Sequence, residues 1–182
     1  MKKSVIFLFI LIFVTKVNAS TKENIIKNLE NIQNLSFNFE QNINGKIENG
    51  KCKLEYPKKI FCEYNLKNKK KLVSNGRSLV IKTNNSFYIY PLEKTPLNLI
   101  LDKKFLLNKI YNSNQRIIDN KYINFNFYEN ENEINIFFDK NNYNLIGWQT
   151  TDIYQNLSIT YINSIKKNQK LKKNLFQLPT QN

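Results

Sequence analysis

Two cysteines, Cys52 and Cys62, carry all the thiol chemistry of this sequence, and no histidine accompanies them. Without imidazole, His-based general acid–base catalysis and most zinc sites are excluded. The cysteines lack CxxC spacing, so the motif of a redox-active pair is missing. Four of the 14 acidic residues are aspartates: Asp102, Asp119, Asp139 and Asp152. The glutamates are scattered over polar strand and turn positions, and no spacing picks out the facing pair that glycoside hydrolysis requires. No serine sits in a nucleophile elbow, and no glycine-rich loop could cradle a phosphate. The expectation is a protein that is not an enzyme and uses neither a cofactor nor a metal. The formal net charge is +14, carried almost wholly by lysine. Arg77 and Arg116 are the two arginines. Bidentate readout of bases and phosphates favours Arg, so nucleic acid is not an expected partner. The plain reading of the Lys and Asn content is a solvated surface, on which acidic partners or anionic headgroups could also be met.

The elements that position the cysteines are strands. Residues 50–56 place Cys52, Leu54 and Tyr56 on one face, because strand side chains alternate. Pro57 and two lysines break the run, and residues 60–64 return with Ile60, Cys62 and Tyr64 on one face. Pairing residues whose numbers sum to 114 sets Cys52 opposite Cys62. Exported chains with an even cysteine count usually form disulfides, so a 52–62 bridge is one reading, with two buried free thiols or two reactive thiols as the others. Leu72 and Val73 lead into a hairpin signalled by Asn75-Gly76, and residues 78–81 come back from it.

The chain begins with Lys2 and Lys3, an unbroken apolar run from Val5 to Val14, and small residues at Val17-Asn18-Ala19. This reads as a secretory signal peptide over 1–19, cleaved after Ala19, with one domain over 20–182. The apolar run is shorter than the roughly 20 residues of a spanning helix. No cysteine follows the cleavage site, so no lipid anchor is expected there.

Residues 21–34 have Ile25, Ile26, Leu29 and Ile32 at helical spacing behind a Ser20 or Thr21 cap. Leu35, Phe37 and Phe39 then alternate with polar residues, and Asn44-Gly45 turns the chain. Phe87 to Tyr90 is a short aromatic strand. Pro96 behind a Thr95 cap opens a short helix with Leu97, Ile100 and Leu101 on one face. Phe105, Leu106, Leu107 and Ile110 continue at helical spacing. From Ile117 the pattern is a meander: Ile123, Phe125 and Phe127; Ile134, Ile136 and Phe138; Leu145 to Ile153; then Leu157, Ile159, Tyr161 and Ile165 with a break in phase near Asn163. Evenly spaced strands with turn signals indicate an antiparallel sheet or open barrel.

The order of these features resembles the LolA family of periplasmic carriers of outer-membrane lipoproteins. The residues that carry the resemblance are the helix followed by Phe37-x-Phe39-x-Gln41, the Gly50-led strand with its proline turn, and the Leu72-Val73-Ser74-Asn75-Gly76 turn. Thr95-Pro96-Leu97-Asn98-Leu99-Ile100-Leu101 and the closing Asn174–Pro179 segment complete it. The resemblance implies a mainly β fold with a few helices: a curved antiparallel sheet, an open half β-barrel, covered by the N-terminal helix and short lid helices. It implies a cavity for acyl chains, walled here by Phe37, Phe39, Leu54, Tyr56, Ile60 and Tyr64, with a lid of Pro96, Leu97, Ile100 and Leu101. The implied partners are acylated lipoproteins, an inner-membrane ABC transporter that releases them, and an outer-membrane acceptor or the outer membrane itself, met by a monomer in the periplasm. In the family the first strand ends in Arg-Pro, and that Arg bonds to the lid and holds the empty form closed. Here Tyr56-Pro57 stands in its place, with one donor against five.

Two functional readings follow. One is a soluble carrier that moves lipoproteins from the inner to the outer membrane. The other is a non-shuttling envelope module on the same fold that holds lipid or polysaccharide. The absent lipid-anchor cysteine favours the carrier.

Overall fold

The computed structural model describes residues 20–129, 132–151 and 156–181. The export segment expected at 1–19 lies outside them, as does Ile153. Helix α1 spans Thr21–Glu30. Its start is a capping box: Ser20 Oγ accepts from the Glu23 backbone N–H, and Glu23 accepts from that of Ser20 at 2.8 Å. The helix is shorter than the apolar spacing predicts. It ends at Asn31, whose amide donates back to the Lys27 carbonyl at 2.9 Å, and Ile32 is buried on the turn beyond.

Strands β1 (Asn34–Ile43) and β2 (Lys46–Glu55) form a long hairpin about Asn44-Gly45, both at positive φ. Strands β3 (Lys59–Tyr64), β4 (Lys71–Asn75), β5 (Ser78–Lys82) and β6 (Phe87–Pro91) continue outward to one edge. After the helical segment come β7 (Gln115–Ile118), β8 (Tyr122–Glu129), β9 (Asn132–Asp139), β10 (Leu145–Thr151) and β11 (Leu157–Lys167). Among the described residues these make one eleven-stranded sheet in the order β6-β5-β4-β3-β2-β1-β11-β10-β9-β8-β7. Its neighbours pair antiparallel, and the first strand meets the last at the centre. The outer strands β6 and β7 do not pair with each other, so the sheet stays an open, curved half-barrel.

Helices α2 (Leu97–Leu101) and α3 (Lys103–Asn112) lie on the concave side with α1. Helices α1 and α3 run antiparallel and cap each other. Lys22 Nζ donates to the Tyr111 and Ser113 carbonyls at the end of α3, at 3.2 and 2.7 Å. Lys103 Nζ donates to the Glu30 and Ile32 carbonyls at the end of α1, at 3.0 and 2.8 Å. Each ammonium thus satisfies carbonyls that a helix end leaves open.

Three local expectations are corrected. The second hairpin turns at Gly76-Arg77, because Ser74 pairs with Leu79; Asn75 closes β4 and its side chain accepts from the Arg77 and Ser78 amides, both at 3.0 Å. Thr95 does not cap α2. Its hydroxyl donates to the Leu92 carbonyl at 2.8 Å and closes the preceding 3-10 turn, Leu92–Lys94. In β11 the concave phase is Ser158, Thr160 and Ile162, all buried, whereas Leu157 and Tyr161 are exposed. The break near Asn163 is a bulge at Ser164, which adopts positive φ.

Candidate functional site

A cavity of about 390 Å³ opens on the concave side between β1–β6, the inner ends of β10 and β11, and the start of α2. That is within the usual range of small-ligand pockets, roughly 300–1,000 Å³. Its walls are built by strand alternation. Phe37 and Phe39 come from β1, Cys52 from β2, Ile60, Cys62 and Tyr64 from β3, and Leu72 and Leu79 from the next two strands. Pro96 and Leu97 close it from above, and Trp148 stands edge-on to Phe37 with centroids 6.5 Å apart.

Cys52 and Cys62 face each other in the β2–β3 register, joined by a disulfide on the cavity floor. Beside it Phe39 and Tyr64 pack edge to face at 4.9 Å across Gly50. A β-carbon on Gly50 would come within 2.9 Å of the Phe39 ring and 2.1 Å of the Glu63 carbonyl oxygen, so this contact needs glycine.

Of the predicted wall residues, the structure brings Phe37, Phe39, Ile60 and Tyr64 to this cavity. It places Leu54 and Tyr56 elsewhere. Leu54 is inward-facing and 1% exposed, but it is packed in the core and lines no cavity described here. Tyr56 lies past the end of β2 and lines a second cavity of about 570 Å³ with Gln33, Asn34, Glu55, Pro57, Asp102, Lys103 and Lys104. Its hydroxyl is buried without a hydrogen-bond partner among the described residues, and burial pushes the phenol well above its ordinary pKa of 10.0. Of the predicted lid residues, Pro96 and Leu97 face the cavity, whereas Ile100 and Leu101 are buried in the core.

The corner between α2 and α3 is fastened to the β2–β3 turn. The Lys58 amide donates to the Leu101 carbonyl at 2.9 Å, and Lys58 Nζ pairs with Asp102 at 3.2 Å. Asp102 in turn caps α3 by accepting from the Phe105 amide at 3.1 Å.

Residues not singled out as cavity walls complete the far end of the cavity. Gln41, Thr150, Thr151, Ser158 and Thr160 line it, with Lys70 beside them. Lys70 is the charged lining residue, and its Nζ lies 2.5 Å from Glu48, which also pairs with Lys46 at 3.0 Å. Burial works to raise the Glu48 carboxyl, but the bonds and charges of Lys70 and Lys46 outweigh it and hold the group below its ordinary value. A sequence signal for this end existed: polar residues at the inward phase of β1, β10 and β11.

The family model described as "Outer membrane lipoprotein carrier protein LolA" matches residues 30–179. No curated protein matches the sequence. Among solved structures, a LolA superfamily protein of Nitrosomonas europaea is 8% identical at a TM-score of 0.44, over 88% of this chain and 99% of that one. The Mycobacterium tuberculosis lipoprotein LppX is 9% identical at a TM-score of 0.47, over 84% and 96%. A chain of the Pseudomonas aeruginosa MucA/MucB complex is 10% identical at a TM-score of 0.48, over 88% and 62%.

Proposed function

The chain belongs to the LolA family, and from that membership and the lined cavity we propose that it carries lipoproteins through the periplasm with their acyl chains held inside the half-barrel. The observation that carries the reading is a mostly apolar cavity under a short helix, walled by Phe37, Phe39, Ile60, Leu79, Leu97 and Trp148. Each buried CH2 contributes about 0.8 kcal/mol, so an acyl chain supplies ample drive without a charged contact. A carrier must also release its load, which requires open and closed forms that differ little in energy.

In this reading the signal peptide over 1–19 is cleaved after Ala19, and the domain over 20–182 works alone. It receives lipoproteins from an inner-membrane ABC transporter and hands them to an outer-membrane acceptor or to the membrane. The lid is the Pro96–Leu97 corner, and Lys58 holds it through Leu101 and Asp102 in place of the family Arg.

The test uses the mature chain and inner-membrane vesicles that contain an acylated lipoprotein. The chain is expected to withdraw the lipoprotein into solution on ATP addition and to ignore the same protein without acyl chains. Ile60→Arg, which sets a charge on the wall, should abolish loading while circular dichroism stays that of the wild type. Equal binding of acylated and non-acylated forms, unaffected by Ile60→Arg, would overturn the carrier reading. Acyl-dependent binding without ATP-driven extraction would point to a holding module.

A further inference from the structure

The concave face changes character along its strands. On β1 the inward residues run Phe37, Phe39, Gln41. The register sets Thr160 opposite Gln41 and Ser158 opposite Ile43, then Trp148 opposite Thr160 and Thr150 opposite Ser158. Strands β10 and β11 therefore switch from large apolar groups to hydroxyls at one end of the cavity, beside the Gln41 amide and Ile43 of β1. Thr150, Ser158 and Thr160 are only 7%, 5% and 4% exposed, so these are buried polar groups and not a wet rim.

Their hydrogen bonding is incomplete in one direction. The Gln41 amide donates to Ser158 Oγ at 3.0 Å and to Thr160 Oγ1 at 3.3 Å, while Tyr64 donates to Gln41 Oε1 at 3.4 Å. Both hydroxyls thus act as acceptors here and keep their own protons to give, since a hydroxyl is one donor as well as an acceptor. Thr150 lines the cavity and makes no hydrogen bond to a described residue. These three hydroxyl protons face the cavity with no acceptor among the described residues, so they suit a ligand that brings acceptors. The charged group lining this cavity, Lys70, is paired with Glu48 and lies 4.2 Å over the Tyr64 ring.

Resting on the carrier reading above, we infer that this hydroxyl row is a subsite for the neutral, ester-linked end of an acyl chain. Carbonyl oxygens of glyceryl esters accept from Thr150, Ser158 and Thr160, and the hydrocarbon runs from them toward Phe37, Ile60, Leu79 and Leu97. A free fatty acid is disfavoured at this end, because its carboxylate would have to compete with Glu48 for Lys70.

The experiment compares three probes on the purified mature chain by calorimetry: a diacylglyceryl-cysteine peptide with ester links, its ether-linked dialkyl analogue of equal chain length, and palmitate. The ester probe should bind about tenfold more tightly than the ether, the effect of one or two neutral hydrogen bonds. Thr150→Val with Ser158→Ala and Thr160→Val should erase that difference. The ester–ether contrast in the wild type needs no variant, so a misfolded variant does not weaken the test. Equal ester and ether affinities in the wild type would overturn the subsite while leaving the carrier reading standing. Tighter binding of palmitate than of the ester would also overturn it. Failure of every probe to bind would remove both.

Discussion

The two halves of the sheet offer the concave side the same apolar alternation, and the molecule treats them differently. In the half formed by β8 and β9, the inward residues meet long helices. Ile123, Phe125, Ile134, Ile136 and Phe138 are at most 1% exposed; Phe125 and Phe138 pack edge to face at 6.0 Å, and Phe105 of α3 packs on Phe127 at 5.9 Å. In the half formed by β1–β6, the cover is the 3-10 turn and the five-residue α2, and a cavity remains beneath them. The lesson is that alternation specifies which face is inward, whereas the length of the covering element decides whether that face becomes core or cavity wall. Helices α1 and α3 are bound to each other by Lys22 and Lys103 and so act as one lid on the filled half.

The largest test of this contrast is one substitution in each half. Phe125→Ala should cost about 3–5 kcal/mol, because a filled core cannot collapse onto the gap. Leu97→Ala, at the cavity roof, should cost about 1 kcal/mol or less, since one side of Leu97 already faces space. Urea unfolding of the two variants measures this directly. Equal losses would mean that the open half is packed like the filled one.

The antiparallel meander, the Asn44-Gly45 hairpin and the opposed cysteines were legible from turn residues and alternation alone, whereas the pairing of β1 with β11 was not. The wall was legible only in part. Leu54 has the right phase, but phase says nothing about how far along the strand a cavity extends, and Leu54 falls on the core side of that limit. Tyr56 was placed by extending a strand that stops at Glu55. In β11 the apolar phase, Leu157 and Tyr161, was the more conspicuous, yet Ser158 and Thr160 face inward. A polar inward phase is invisible to a rule that seeks apolar stripes, and it becomes readable only when pairing with Gln41 fixes the register. The aliphatic phase of β4 and β5 carries a similar lesson. Val73 and Val80 are buried on the convex face, between Lys59, whose Nζ lies 5.9 Å from the Phe176 ring centroid, and Lys82, which bonds to Thr180 at 2.7 Å.

A second test sharpens the contrast at the polar end of the open half. Lys70→Met removes the closest of the two cations on Glu48, which is 4% exposed, and should cost on the order of 1–3 kcal/mol at pH 7. The sign of the pH dependence follows from the lowered carboxyl. Its contribution is full above the ordinary value of 4.5 and disappears as pH falls through the lower folded value. The gap between wild type and variant in urea midpoints should therefore narrow from pH 7 to pH 3. A constant gap would show that Lys70 acts by packing its stem on Tyr64 and not through charge.

The smallest effect concerns Tyr56, at the junction of the two halves. Its ring packs against the core, and Lys103 Nζ lies 5.6 Å above the ring on the side of the second cavity. Its hydroxyl has no partner among the described residues, although an unpaired buried polar group carries a desolvation cost of about 1–3 kcal/mol. Tyr56→Phe keeps the ring and removes that cost, so it should raise stability by about 1 kcal/mol where most core substitutions lower it. The neighbouring fastening through Lys58, Leu101 and Asp102 does not use this hydroxyl and should be untouched. Thermal and urea unfolding of the variant read the sign. A gain means that the closed corner is held by Lys58 and that the Tyr56 hydroxyl is a burden on the ligand-free form. A loss of more than about 0.5 kcal/mol would mean that the hydroxyl holds the corner itself, which would return to this position the holding role that the family gives its Arg.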